Sequence, residues 1–326
     1  MAVPTRRNPP DGARQGAEAT GPHRLTAREW RRVLRRTARH VLGDRLQVAS
    51  AGISFFAILS IAPVLVTALS IYGALNTPEQ ALDQLSDLAV SLPDDLEPIV
   101  ADQLTTITAA SGQVLTWRGI SGLLVALWTA TTAATFLVDA LTLAYHEHET
   151  RSFWRRSGLG VLLVLGGALT LGAVIAAAGL ASRTLADAPG AVRTAARLLA
   201  WPALALLMAA ALATLYRYAP DRRDARWRWI SPGAGAATLL WLAVSIGLFA
   251  YVQGLGNYES TYGSLAGVVI SMFWLWITVF LVIVGAALNA EAERETVRDS
   301  TVGPEMPPGA RGAVVADSTP PYPSDR

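Results

Sequence analysis

Residues 265–288 read LAGVVISMFWLWITVFLVIVGAAL, without one charged side chain. A helix rises about 1.5 Å per residue, so roughly 20 apolar residues cross a hydrocarbon core about 30 Å thick. This stretch is long enough to cross, and five similar ones precede it, at 48–75, 120–144, 158–180, 198–215 and 230–252. Backbone amides find no water in lipid, so such segments must be helices. A membrane barrel would show short alternating segments instead. The expected fold is all-α, a polytopic membrane protein with six transmembrane helices. Asp139 is the one acidic residue inside any of the six stretches.

Charge sets the expected orientation. The chain has no Lys, and its 27 basic residues are all Arg. Eleven of them precede Val48, and 23 fall on one side of a six-span topology against four on the other. The positive-inside rule therefore predicts that both the N- and the C-terminus are cytoplasmic. The first external segment, 76–118, carries seven acids and one Arg, which points the same way. The expected location is the plasma (inner) membrane, multi-pass. The first apolar stretch lacks the small-residue cleavage site of a signal peptide and is read as a retained helix.

Four regions follow. Residues 1–24, rich in Arg and Pro, and the tail 292–326, rich in Pro, read as disordered. Residues 25–47 read as an amphipathic helix on the inner leaflet. Thr26 and Glu29 have capping-box spacing there. Trp30, Val33, Leu34, Val41, Leu42 and Leu46 share one side, and Arg31, Arg32, Arg35, Arg36 and Arg39 project elsewhere. Such a helix is expected apolar side down, with Arg meeting anionic lipid headgroups at about 1 kcal/mol each. Residues 48–291 form the six-helix domain, with 76–118 as an external helical segment. Within it, Pro93 separates two short amphipathic helices.

The polar groups inside the spans are the candidate functional residues. Trp128, Thr132, Thr135, Asp139, Thr142 and His146 recur at steps of three or four and form a stripe along one helix. A charge on a lipid-facing helix costs about 2.5 kcal/mol or more, so Asp139 should face protein or a water-filled cavity. Its plain role is an interfacial pair with Arg151 or Arg155; the functional alternative is a cavity-lining or proton-linked group. Asn289 and Glu291 end the sixth span, where pairing with an Arg of the inner collar is the simplest role. Tyr262 stands at the external interface. Trp128, Thr135, Asp139, Tyr262, Asn289 and Glu291 are thus the candidate set. Small residues at Ala168, Gly172 and Ala176, and from Ser231 to Ala236, suit close helix packing. Pro63 and Pro202 are expected to break or kink their helices.

The same residues bound the chemistry. There is no cysteine, so thiol catalysis and Cys-ligated metals are excluded. His146, Glu147, His148 and Glu149 resemble metal ligands at first sight. Alternate residues on a helix point apart, however, so the run is expected to be solvated. No nucleophile–base pair is visible. No catalytic, cofactor or metal site is expected, no nucleic-acid partner, and no enzymatic activity.

Several short motifs, taken in order, resemble the YihY/BrkB family of bacterial inner-membrane proteins, once labelled ribonuclease BN. They are Ser54-Phe55-Phe56-Ala57 with Pro63, Leu127-Trp128-Thr129-Ala130, and Asp139-Ala140-Leu141 with Tyr145 and Arg151. Then come Tyr216-Arg217-Tyr218-Ala219-Pro220, Ser231-Pro232-Gly233-Ala234, Tyr262-Gly263-Ser264-Leu265-Ala266 and Trp274-Leu275-Trp276. The last is Gly285-Ala286-Ala287-Leu288-Asn289-Ala290-Glu291. The resemblance covers about Arg31 to Glu291. Thr142 and Asp221 stand where the family often has Asn. The resemblance implies a six-helix inner-membrane protein and no settled activity. The expected function is transport or export of a lipid or other amphiphile. The alternative is a non-transporting envelope scaffold, and a ribonuclease is disfavoured. The sequence sets no oligomeric state.

Overall fold

The computed structural model describes residues 21–75, 112–185, 188–255, 266–296 and 298–318. The external segment 76–111, Tyr262 and the extreme N-terminus lie outside these residues. Six of its helices are long and apolar enough to cross a membrane.

A 3-10 turn at Pro22–Arg24 leads into α1, Ala27–Gly43. Thr26 starts α1 with a complete capping box: its hydroxyl accepts from the Glu29 amide, and the Glu29 carboxylate accepts from the Thr26 amide at 2.6 Å. The spanning helices follow: α2 (Leu46–Leu75), α3 (Gly112–Ala144), α4 (Phe153–Thr184), α5 (Gly190–Tyr218), α6 (Trp227–Leu255) and α7 (Ala266–Glu293). A short α8, Val314–Asp317, comes last. The helices continue through Pro63 and Pro202.

The ends of α3, α5 and α7, the starts of α4 and α6, and all of α1 gather at one end of the bundle, here the proximal end. The core lies there: Leu46 and Ile53, Val138 and Leu141, Tyr216, Ile230 and Ala234, and Ile283 to Ala290. Nearly every residue of α7 from Leu281 to Glu293 is buried, so this half-helix is the central strut. It packs on α6, α2, α1 and α3. Helix α4 packs mainly on α3, and α5 mainly on α6, so these two form outer wings.

The strut requires small residues. A Cβ at Gly233 would strike the Gly285 carbonyl, and one at Gly285 would reach the Tyr216 hydroxyl and come 2.7 Å from the Gly233 carbonyl oxygen. The backbones of α6 and α7 therefore touch at this crossing. By contrast, a Cβ at Gly166, Gly167, Gly172 or Gly179 of α4 would meet nothing. Among the described residues the expected close-packing stripe of α4 carries no neighbour at Gly172, whereas the one in α6 does at Gly233.

Two expectations need correction. First, α1 does not lie with its whole apolar side on lipid. Val33 and Val41 are buried against protein, while Leu34 and Leu42 stay exposed. The helix turns because the end of α7 offers carboxylates to Arg32 and Arg36. Second, the tail is folded as far as residue 318. Thr301 bridges to Ala225 in antiparallel fashion, and the Val302 amide donates to the Asp224 carbonyl at 2.9 Å. The Asp299 carboxylate caps the turn by accepting from the Thr301 and Met306 amides, and Val315 is fully buried. Gly303, Gly309 and Gly312 supply the positive-φ corners. This strap holds by backbone pairing to distant loops, which composition does not reveal.

Candidate functional site

The last turns of α7 carry Asn289, Glu291 and Glu293, and the turn just beyond carries Glu295. The three carboxylate residues are only 2%, 1% and 2% exposed. An unpaired charge at such depth is costly, so each must be matched. Helical geometry decides by what. Residues four apart share a side, so Glu291 and Glu295 both face α1, while Glu293, two residues on, faces away.

On the α1 side, Arg36 donates from Nε to Glu291 at 2.8 Å and from Nη2 to Glu295 at 2.8 Å. Arg32 Nε reaches Glu295 at 3.0 Å. Glu291 Oε1 also meets His146 Nε2 at 2.9 Å and Arg294 Nη1 at 3.2 Å. On the opposite side, Arg222 grips Glu293 with two nitrogens at 2.7 and 3.1 Å. The Ser300 hydroxyl donates to the same carboxylate at 2.5 Å. The Arg222 guanidinium lies 4.8 Å from the centre of the Tyr145 ring. Burial alone would lower the pKa of Arg222, but the Glu293 charge outweighs it and the net shift is upward. Burial pushes the Tyr145 hydroxyl well above the usual phenol range. On the Glu293 side, Asn289 joins α6 to the end of α3: its Oδ1 accepts from the Gly233 amide at 2.7 Å, and its Nδ2 donates to the Tyr145 oxygen at 3.5 Å.

His146 closes α3. Its φ is +59°, in the left-handed region where Gly is the usual occupant. The Glu147 amide bonds the Thr142 carbonyl at 3.0 Å across this turn. The run His146 to Glu149 is therefore solvated only in part: His148 is exposed, and the other three are half-buried and engaged. His146 binds Glu291, Glu147 accepts from the Val314 amide at 2.6 Å, and Glu149 accepts from Arg151 Nε at 3.0 Å. Burial raises the carboxyl pKa of Glu147. Burial also acts to raise that of Asp221, but hydrogen bonds from the Thr150 hydroxyl and amide and the charge of Arg151 bring it below the usual range.

The candidate residues separate into three places. Asn289 and Glu291 sit in this proximal cluster. Asp139 and Thr135 lie on the α3–α4 seam. There Asp139 pairs with Arg156 at 3.2 Å, not with Arg151 or Arg155, and Thr135 packs against Gly160. Arg151 is engaged elsewhere, by Glu149, Asp221 and the Ala219 carbonyl. Trp128 is 66% exposed on the outside of α3. The stripe on α3 is not one polar path, because Thr132, Thr135 and Thr142 donate to carbonyls of their own helix. Sequence reasoning missed Arg36, Tyr145, His146, Arg222 and Glu293. The available signal was three Glu at alternate positions closing an apolar helix, which demands distant Arg on two sides.

The family described as virulence factor BrkB matches residues 37–309. The chain belongs to this family. Among relatives, it is 28% identical over 255 residues to the ribonuclease-like protein YfkH of Bacillus subtilis, covering 75% of this chain and 89% of that protein. It is 29% identical over 259 residues to the UPF0761 membrane protein Smlt0865 of Stenotrophomonas maltophilia, covering 76% of this chain and 58% of that one. RC1_0578 of Rhodospirillum centenum, another UPF0761 membrane protein, is 28% identical over 280 residues, covering 82% and 59%. The chain thus spans somewhat more than half the length of these UPF0761 relatives. No solved structure matches it. With six apolar helices, this BrkB-family chain is a multi-pass membrane protein.

Proposed function

We propose that this protein moves a lipid or another amphiphile across the bacterial inner membrane, with its proximal end toward the cytoplasm. The observation carrying this reading is the uneven packing of the bundle. Of the most apolar window, none is buried in α4 and only 6% in α5, while the proximal end is tied by buried ion pairs. Wing helices with so little cover from the other described residues leave an apolar surface that acyl chains can follow. Polar groups lie beside it: the part-exposed Asp139–Arg156 pair joins α3 to α4, and across the α6–α7 seam Trp241 Nε1 donates to Thr278 and Trp274 Nε1 to Ser245, each at 3.1 Å. The outward Arg28, Arg31, Arg35 and Arg39 of α1 suit anionic lipid headgroups.

The test is the full chain reconstituted into vesicles that carry a fluorescent phospholipid. Protein-dependent transfer of the probe between leaflets is expected, reduced by Asp139→Asn. No transfer of any amphiphile, together with a stoichiometric partner on copurification, would favour the scaffold reading, for which the bare small-residue side of α4 is the natural seat. We do not carry the ribonuclease-like label of YfkH over to this chain. Among the described residues no group of three or more His, Cys, Asp or Glu is placed to hold a metal ion, and the carboxylates of α7 are all engaged by Arg.

A further inference from the structure

We infer that His40 and His146 form a proton-operated latch that controls how firmly α1 is seated on the end of α7. Their rings lie 4.0 Å apart, one on α1 and the other on the turn closing α3. Nothing in this inference depends on what the protein moves.

The geometry has two readings of one proton. His146 Nε2 stands between an acceptor, Glu291 Oε1 at 2.9 Å, and a donor, Arg294 Nη1 at 3.4 Å. With a proton on Nε2 the ring donates to Glu291; without it, the ring accepts from Arg294. His40 is held by Asp44 on Nδ1 at 2.8 Å and by the Ala144 carbonyl on Nε2 at 3.2 Å. Those two acceptors suit a doubly protonated ring. Burial and the neighbouring His146 oppose that charge more strongly, so the His40 pKa falls below the usual imidazole value. The charged groups around the pair are Asp44 and Arg36 from α1, Glu291 at the end of α7, and Arg294 just beyond it. Glu291 is already shared by Arg36 and Arg294. A proton on each ring therefore sets two cations 4.0 Å apart in a half-buried seam, with Asp44 beside one and, beside the other, a Glu291 that two Arg already share.

A second observation concerns the backbone of His146, which with Arg45 is one of two non-Gly residues at positive φ among the described residues. A side chain at φ +59° closing a helix is less stable than Gly would be. A strained residue whose ring meets a buried carboxylate points to a role for the ring, not for the turn.

The chain has no native Cys, so spin labels can be placed singly. Leu34→Cys on α1 and Val302→Cys on the strap are both exposed positions. In the full chain in lipid nanodiscs, the label-to-label distance should be longer and broader at about pH 5.5 than at about pH 8, the range in which imidazoles titrate. His146→Gly relieves the strained turn, so this variant should fold with an equal or higher thermal midpoint and show the docked distance at both pH values. His40→Gln should flatten the response as well. Three results would overturn the latch: an identical wild-type distance at both pH values, a response that survives in His146→Gly, or a His146→Gly protein already unseated at about pH 8.

Discussion

The two ends of this bundle are built on opposite rules. At the proximal end, backbones touch, carboxylates are buried, and chain segments from both termini interlock. Away from it, along the outer wings, large apolar side chains such as Leu169 of α4 and Leu206 of α5 stand clear of the other described residues. Lipid tails are as apolar as Leu, so a membrane helix gains little from packing its Leu on a neighbour. Association comes instead from small residues and polar pairs, and here those sit at one end. The contrast shows where this fold keeps its stability and where it keeps its freedom.

The contrast breaks most sharply if the buried pair is dispensable. Glu293→Gln leaves Arg222 buried without its counter-charge and should cost about 3–5 kcal/mol, read as a large drop of the thermal midpoint in detergent. The apolar double variant Arg222→Met/Glu293→Leu should recover most of that loss. Unchanged stability in the single variant would mean that the proximal end is held by something else.

The next effect is steric. Gly285→Val at the α6–α7 crossing should destabilise by about 1–3 kcal/mol, because the atoms it meets include backbone. Gly172→Val on α4 should have little effect. Equal losses at both positions would erase the difference between the two regions.

Acid should act on the proximal end first. The folded pKa of His40 is depressed, so as pH falls from about 6.5 the unfolded chain takes up the proton more readily and stability declines. The loss is complete only below the folded value, and His40→Gln should flatten this limb. Asp221 is also depressed, but as a carboxylate it contributes stability that is fully present above about pH 4 and lost as pH falls through its folded pKa. Its limb therefore lies at much lower pH, and unfolding followed against pH separates the two.

The smallest effect belongs to the outer wings. Leu169→Ala and Leu206→Ala should change stability by no more than about 0.5 kcal/mol, the usual scale away from packed features. Losses of several kcal/mol would show these side chains to be covered in the membrane.

Much of the fold was legible in the chain because lipid imposes a simple constraint: length and apolarity alone identify the spans from 46 to 293. The capping box of α1 was legible too, because it is local. The site was less so. Glu291 was visible as a polar group closing a span, but its partners Arg36 and His146 lie 255 and 145 residues away. Charge alternation made His146 to Glu149 read as solvated, whereas His146 and Glu147 bind distant parts of the chain and Glu149 binds Arg151 close by. On α3, periodicity aligned Thr132, Thr135 and Thr142, but could not tell that their hydroxyls bond back onto the helix. The strap 298–318 was hidden for the same reason: its order comes from pairing with residues 223–226, not from a pattern of its own.

The strap and the α1–α7 contacts also have a consequence for biosynthesis. Arg32 meets Glu295 across 263 positions, and the Arg223 amide bonds the Gly312 carbonyl. Helix α1 leaves the ribosome before all six spans, yet its seat follows the last of them. The helices can enter the bilayer one after another, but the end that binds them together closes only after the sixth span has emerged. A chain stalled before residue 290 thus presents a basic helix with no carboxylates to receive it, a surface open to quality-control proteases.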